Sequence, residues 1–338
     1  MSHAFREGDF VESLEGLIFD VKGLIHPPDR VVAFVRYIPD THGSRARDGK
    51  RFRKIYELDD RYRFLASHYP NYLVHDPIFG EELNEVPTSR LLRSYRPLEK
   101  THALVLSLTR TALEQKTLEM IGTLSSSSGV SLEDFGISGS ILVELAATTS
   151  DIDIVIYGSE KCKAVRKSLQ KLMTEREIFQ PYDESTILGL YKARHHETGI
   201  SFGDYVQSEA RKDIQGRFHN TDFFIRYVKD RFELEETYGN TIYGKVGFGK
   251  IEGTVSDDRE AMFTPCEYPL ENVRIVEGPK VEPLTEIVSF RGQFCEQATM
   301  GERVVAQGKI ERKTTRDNVG YRLILGNTRR DYMIVTTQ

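Results

Sequence analysis

Gly136-Ile137-Ser138-Gly139-Ser140, followed ten residues later by Asp151-Ile152-Asp153-Ile154-Val155-Ile156-Tyr157, is the stretch on which the reading of this chain turns. Side chains along a strand alternate between its faces, so Asp151 and Asp153 point one way while Ile152, Ile154 and Ile156 point the other. One face is apolar and suited to burial; the other begins with two carboxylates roughly 7 Å apart. Two such anions repel each other, and a cation between them removes the cost. Oxygen donors on a rigid strand suit Mg²⁺, which takes one or two protein carboxylates and completes its octahedron with water and substrate phosphate. Gly139-Ser140 supplies the other half. A glycine after a strand lets a phosphate approach the backbone, and the amides opening a short helix there, with the Ser140 hydroxyl, are donors for anionic oxygens.

Working outward, apolar residues Leu104, Leu108, Leu113, Met120, Ile121 and Leu124 predict one long helix over 99–124, ended by the serines and glycine of 125–129. A strand at 135–138 leads into the Gly-Ser turn, and Ser159 is read as the N-cap of a helix reaching 175. Strand, helix, strand, helix in short order predicts α/β. Upstream, residues 16–55 alternate β-branched and aromatic with polar residues and are broken by Pro27-Pro28 and a loop at 43–49, which predicts strands and tight turns; short helices are expected at 59–68 and 89–95. After Tyr238 the helical period disappears and short strands follow, among them 304–310, 321–325 and 332–335. The expected fold class is therefore multidomain α+β and α/β. Residues 1–98 would form a strand-rich domain, 99–238 a mixed-sheet core with helices, and 239–338 an all-β barrel or sandwich.

Composition narrows the chemistry. The 338 residues are 39% hydrophobic and 29% charged, an ordinary globular balance with material for more than one core. No run approaches the roughly 18 apolar residues of a membrane span and the start, MSHAFREGDF, lacks a secretion signal, so the expectation is a soluble, cytoplasmic protein without a membrane partner. Cys162, Cys266 and Cys295 are odd in number and far apart, and the nine histidines, including the pair His195-His196, show no zinc spacing. A net charge of −5 excludes a general cationic field for nucleic acid. Locally, residues 29–54 carry eight Lys/Arg against three Asp, a surplus of five, with Phe34, Tyr37, Phe52 and Tyr56 interleaved. That pattern fits either a polyanion-binding hairpin or a solvated basic rim. Residues 241–338 hold 14 basic and 14 acidic residues, a neutral balance that favours a docking or structural role.

The hGS turn followed by a DhDh strand resembles the DNA polymerase beta nucleotidyltransferase superfamily. The longer string GISGSILVELAATTSDIDIVIYG, with HPPDR and RYIPD upstream, is similar to uncharacterised archaeal predicted nucleotidyltransferases. The superfamily likeness covers about residues 100–230. It implies a nucleotidyltransferase-like core and Mg²⁺-dependent transfer of a nucleoside monophosphate from an NTP, ATP being the expected donor, to a hydroxyl acceptor such as RNA or protein. Asp151 and Asp153 would be catalytic metal ligands, Gly139 and Ser140 would bind the nucleotide, and a third carboxylate is implied on a later strand. Asp222, starting the apolar run Thr221-Asp222-Phe223-Phe224-Ile225-Arg226, is the choice and Asp204 the rival. Many minimal members carry an Arg and a second Gly after the GS turn, where this chain reads Ile141-Leu142-Val143-Glu144-Leu145. Lys161, Lys163, Arg166, Lys167 and Lys171, then Lys192, Arg194, His195 and His196, are candidate phosphate or acceptor contacts, or a solvated face. The competing reading is an inactive protein of the same fold that binds RNA or a protein partner.

Overall fold

The structure is a computed structural model that describes residues 5–194 and 200–336. His195 and His196 lie outside the described residues. Two compact units form: one from residues 5–75, 82–180 and 216–238, the other from 76–81, 181–194, 200–215 and 239–336.

In the first unit, the N-terminal residues build β1 (Phe10–Ser13), β2 (Ile18–Val21), β3 (Arg30–Pro39), β4 (Arg45–Arg47), β5 (Lys50–Lys54), helix α1 (Leu58–His68), β6 (Leu73–Asp76), β7 (Glu81–Pro87) and β8 (Leu91–Tyr95). These strands form an eight-stranded sheet in the order β4-β5-β3-β2-β1-β8, with β7 pairing to β3 and β6. Val11, Phe19, Val31, Ala33, Val35 and Leu65 pack into one core of this sheet, all fully buried. Residues 91–95, expected to be helical, are a strand because β8 pairs with β1, placing Phe10 opposite Tyr95. That partner is some 80 residues away, and a local window cannot register it.

Next come α2 (Pro97–Leu106), α3 (Ala112–Ser128), β9 (Phe135–Ile137), α4 (Gly139–Leu142), β10 (Ile152–Tyr157), α5 (Ser159–Glu175), β11 (Phe179–Gln180), β12 (Gln215–Phe218) and β13 (Thr221–Val228). The single helix expected over 99–124 is two. Arg110 donates to the carbonyls of Leu104 and Val105 at 2.7 and 2.8 Å, closing α2. Thr111 and Glu114 then cap each other reciprocally to open α3, satisfying amides that would otherwise lack partners. The four serines lie inside α3, which ends where Gly129 adopts a left-handed φ of 74°. Helix α5 occupies its expected span. Gly158 rather than Ser159 is its N-cap, and it buries Cys162, Val165, Leu169 and Met173 at spacings of three and four.

The second sheet runs β11-β12-β13-β10-β9. Strand β10 is parallel to β13, pairing Asp153 with Phe224 and Val155 with Arg226, and antiparallel to β9. Paired residues share a face, so Phe224 and Arg226 stand on the side of Asp153 while Ile152, Ile154 and Ile156 are buried on the other.

The second unit contains α6 (Glu184–Arg194), α7 (Phe202–Ala210), β14 (Ile242–Val255), β15 (Cys266–Glu277), β16 (Leu284–Ser289), β17 (Arg303–Thr314), β18 (Val319–Leu325) and β19 (Tyr332–Val335). The order β14-β15-β16-β18-β17, with β14 also paired along the length of β17, closes a five-stranded barrel, and β19 adds to β17. Closure leaves β17 close to its neighbours. A Cβ on Gly308 would sit 2.4 Å from the backbone oxygen of Ile324, which cannot move without opening the β17–β18 ladder. Gly308→Ala is therefore expected to lower unfolding free energy by about 2–3 kcal/mol in chemical denaturation. Gly244→Ala, where a Cβ meets nothing within 4 Å, should leave the midpoint unchanged. Equal midpoints for the two variants would show that the ladder gives way freely.

The expected fold class needs correction. The chain is strand-rich, 38% strand against 29% helix, with an antiparallel half-barrel sheet and a closed five-stranded barrel rather than a compact α/β nucleotidyltransferase core. Residues 99–238 suggest α/β because strands and helices alternate there. That inference needs parallel neighbours joined by crossovers, whereas β9 runs antiparallel to β10 and β11 antiparallel to β12. Among the described residues no helix is long and apolar enough to cross a membrane.

Candidate active site

The turn after β9 is held from several sides. Ser138 donates its amide to the backbone oxygen of Asp153 at 2.9 Å and its hydroxyl to that of Gly8 at 2.7 Å. Gly139 follows with φ +60°, and a Cβ there would lie 1.9 Å from Oδ2 of Asp153. No other residue type fits, on conformation or on space, so the carboxylate of β10 is packed directly against the glycine of the turn. Beyond it, the apolar residues of the segment 141–145 are buried. Leu142, Val143 and Leu145 pack with Phe10, Ile18, Tyr37, Phe52 and Tyr95 of the first sheet.

A small cleft of about 50 Å³, open to solvent, lies at this junction. Gly139, Ser140, Asp153, Phe224 and Arg226 line it from the elements around β10, and Asp20, Arg36, Tyr37 and Lys54 line it from β2, β3 and β5. Ser140 is buried and its Oγ has no hydrogen-bond partner. Asp153 is half-buried and its carboxyl is pushed up to about 7, first by burial and then by the charge of Asp151, against the pull of Arg226, Lys54 and Arg36. Asp151 itself is exposed at the start of the strand. Burial also works against ionisation of Asp20, but Lys22, Arg226 and Arg36 outweigh it and hold that carboxyl below its usual range. Arg226 is fixed by the fully buried Glu7 at 2.8 Å and lies 3.8 Å from Asp20; Lys22 bridges the same two acids at 2.9 and 3.0 Å.

Gly139, Ser140 and Asp153 thus meet in one cleft, with Asp151 near enough to act on Asp153 electrostatically. Asp222 is not among the lining residues; it is exposed and paired with Arg217 at 3.1 Å. Asp204 lies in α7 of the other unit, hydrogen-bonded to Ser201 at 2.7 Å. The carboxylate that the cleft contains besides Asp153 is Asp20, which no motif marks. Of the helix cations, Lys161, Lys163 and Lys171 pair with Asp134, Glu160 and Glu175.

Most of the basic hairpin is spent on the chain itself. Arg45 donates to Leu145 O at 3.2 Å and Ser150 Oγ at 2.9 Å, and Arg47 to Glu12, Tyr95 and the Val143 carbonyl. Arg51 donates to Gly43 O at 2.8 Å and Arg53 to Asp40 at 2.7 Å. Arg45 and Arg47 clamp the segment behind the Gly-Ser turn, whereas Arg51 and Arg53 are exposed. Arg36 and Lys54 face the cleft instead.

Whether the residues suit Mg²⁺ can be judged from the donors. Among the described residues no three His, Cys, Asp or Glu side chains cluster to hold a metal by themselves. Asp151 and Asp153 are two hard oxygen donors, and the carboxyl of Asp153 is raised first by its burial and then by the charge of Asp151. This fits an ion that brings water and a substrate phosphate to complete its shell, as Mg²⁺ does.

The chain is 29% identical over 330 residues to the uncharacterized protein MJ1086 of Methanocaldococcus jannaschii, covering 95% of each chain. No protein-family model matches the chain. No solved structure matches it either.

Proposed function

We propose that this cleft catalyses Mg²⁺-dependent transfer of a nucleoside monophosphate from an NTP to a hydroxyl acceptor. The observation that carries the reading is the packing of the Asp153 carboxylate against Gly139, beside the unpartnered hydroxyl of Ser140. It supports the reading because the turn that would accept a phosphate lies against Asp153, one of the two carboxylates that would hold the metal, and phosphoryl transfer needs both side by side. Asp151 and Asp153 would hold the ion, whose chemistry is to neutralise charge on the phosphoryl group and lower the pKa of the acceptor hydroxyl. Gly139 leaves room for the Asp153 carboxylate against the turn, and Ser140 beside it offers a donor with no competing partner. Arg226, locked by Glu7, keeps its positive charge beside Asp153 whatever occupies the cleft. ATP is the first donor to test, with RNA and protein as the acceptor classes.

The test is incubation with each α-labelled NTP, Mg²⁺ and a fractionated cell extract. Label should enter a macromolecular fraction, and Asp151→Asn/Asp153→Asn should reduce it by at least about 10³-fold, the scale on which catalytic metal and electrostatic groups act. Transfer at wild-type rate by that double variant would overturn the proposal. Metal-independent NTP binding without any transfer would also overturn it, in favour of a binding-only protein.

A further inference from the structure

The Arg and Gly that follow the turn in many minimal nucleotidyltransferases are missing here, and the cleft nonetheless carries two cations that no carboxylate contacts directly. The side chains of Arg36 and Lys54 make no hydrogen bond or ion pair among the described residues. Their contacts are with the ring of Tyr56, whose centroid lies 5.7 Å from the Arg36 guanidinium and 5.0 Å from the Lys54 ammonium. Asp20, the carboxylate on the same wall, feels the charge of Arg36 but makes its ion pairs with Lys22 and Arg226. A half-buried guanidinium and ammonium that repel each other, and that Asp151, Asp153 and Asp20 reach only through space and not by a direct contact, favour a further anion brought by a ligand. Burial of Lys54 and the nearby charge of Arg36 lower its pKa, against the pull of Asp151 and Asp153. A second observation points to the same ligand: the Ser140 hydroxyl, on a residue 3% exposed and lining the cleft, has no partner.

We propose that Arg36 and Lys54, from β3 and β5, together with Ser140, form the anion grip of the cleft, and that its ligand is a polyphosphate chain, the triphosphate of an NTP. This rests on the transferase reading and assigns the role of the missing Arg to residues about 100 positions upstream. A linear polyphosphate suits the arrangement because it carries several charges. One part can meet the two cations while another meets the metal held by Asp151 and Asp153. A single carboxylate could not serve both. The binding of the polyanion does not require chemistry, so the grip can be tested apart from turnover.

The experiment is calorimetric titration of the full chain with inorganic tripolyphosphate, and then with ATP, in the absence of divalent metal. Arg36→Gln and Lys54→Gln should each weaken binding by about tenfold and the pair by about a hundredfold, the loss expected for charge-assisted hydrogen bonds to an anion. Arg36→Lys and Lys54→Arg should restore most of it, and Lys161→Gln, on the far helix, should change nothing. Among the described residues neither side chain makes a hydrogen bond or ion pair that folding would lose, so the variants should fold, and their melting temperatures check this. Wild-type affinity in the Arg36→Gln/Lys54→Gln variant would overturn the grip while leaving the transferase reading to the labelling assay. Failure of the wild-type protein to bind tripolyphosphate or ATP at millimolar concentration would likewise overturn it. Label transfer that persists in either case would show that only the grip was misassigned.

Discussion

Replacing Asp153 by Asn should make the protein inactive and more stable in the same step. In the folded chain this carboxyl titrates near 7, against an ordinary value of 3.8. Between those values the folded protein holds a proton that the unfolded chain has released. Stability is therefore greatest at low pH, falls as pH rises from about 4 to about 7, and carries the full penalty above 7. A difference of about three units corresponds to at most about 4 kcal/mol, and with the carboxyl half open to the cleft about 2 kcal/mol is a fair expectation. Asp153→Asn removes this penalty, so at pH 8 the variant should melt about 5 °C higher than wild type, and at pH 5 the gap should shrink. Mg²⁺ should act in the opposite sense. At a hundredfold excess over its dissociation constant it adds about 2.7 kcal/mol to wild type and little to the variant. Thermal melts at pH 5 and 8, with and without Mg²⁺, decide the matter. A variant less stable than wild type at pH 8 would mean that Asp153 is structural and its charge already satisfied.

Part of what makes Asp153 costly is legible in the sequence. The alternation in Asp151-Ile152-Asp153-Ile154-Val155-Ile156-Tyr157 places β10, its buried face and the outward carboxylates, because a period of two is a local signal. Helix α5 is equally legible from its spacing of apolar residues. The break between α2 and α3 is concealed by a continuing row of apolar residues, although Thr111 and Glu114 carry a capping signature. Asp20, Arg36 and Lys54 have no signal of their own. They reach the cleft through pairings such as Tyr37 with Lys54 and through the packing of Leu142, Val143 and Leu145 on the first sheet, and such long-range contacts are not encoded in any short window. Asp222 resembles Asp151 in starting a strand, but its position leaves it exposed and in the reach of Arg217. The fold class is misread for a related reason. Alternation of strands and helices does not report strand direction, and the antiparallel partners of β10 and β11 are set by pairing.

The largest loss of stability should come from Arg226→Met. The guanidinium lies between Glu7, fully buried at 2.8 Å, and Asp20 at 3.8 Å, and its charge also reaches Asp153. Methionine fills much of the same volume without charge, leaving three acids with Lys22 as the nearest ion-pair partner of two of them. Breaking a buried pair by removing one member costs about 3–5 kcal/mol, because the other is left charged and desolvated. The pH dependence identifies the cause. Without Arg226 the folded-state pKa values of Asp20 and Asp153 must rise, the folded variant then takes up more protons than folded wild type, and its deficit should shrink as pH falls from 8 towards 5. Adding Glu7→Gln should return part of the loss at pH 8, since an amide can remain buried against Lys22 and the Gly23 amide without a net charge. A double-mutant cycle in urea measures that coupling, and about 2 kcal/mol or more is expected for groups in direct contact. A single-variant loss below about 1 kcal/mol, or additive effects of the two substitutions, would show that Arg226 is solvated in the cleft and does not hold the buried N-terminal acid in place.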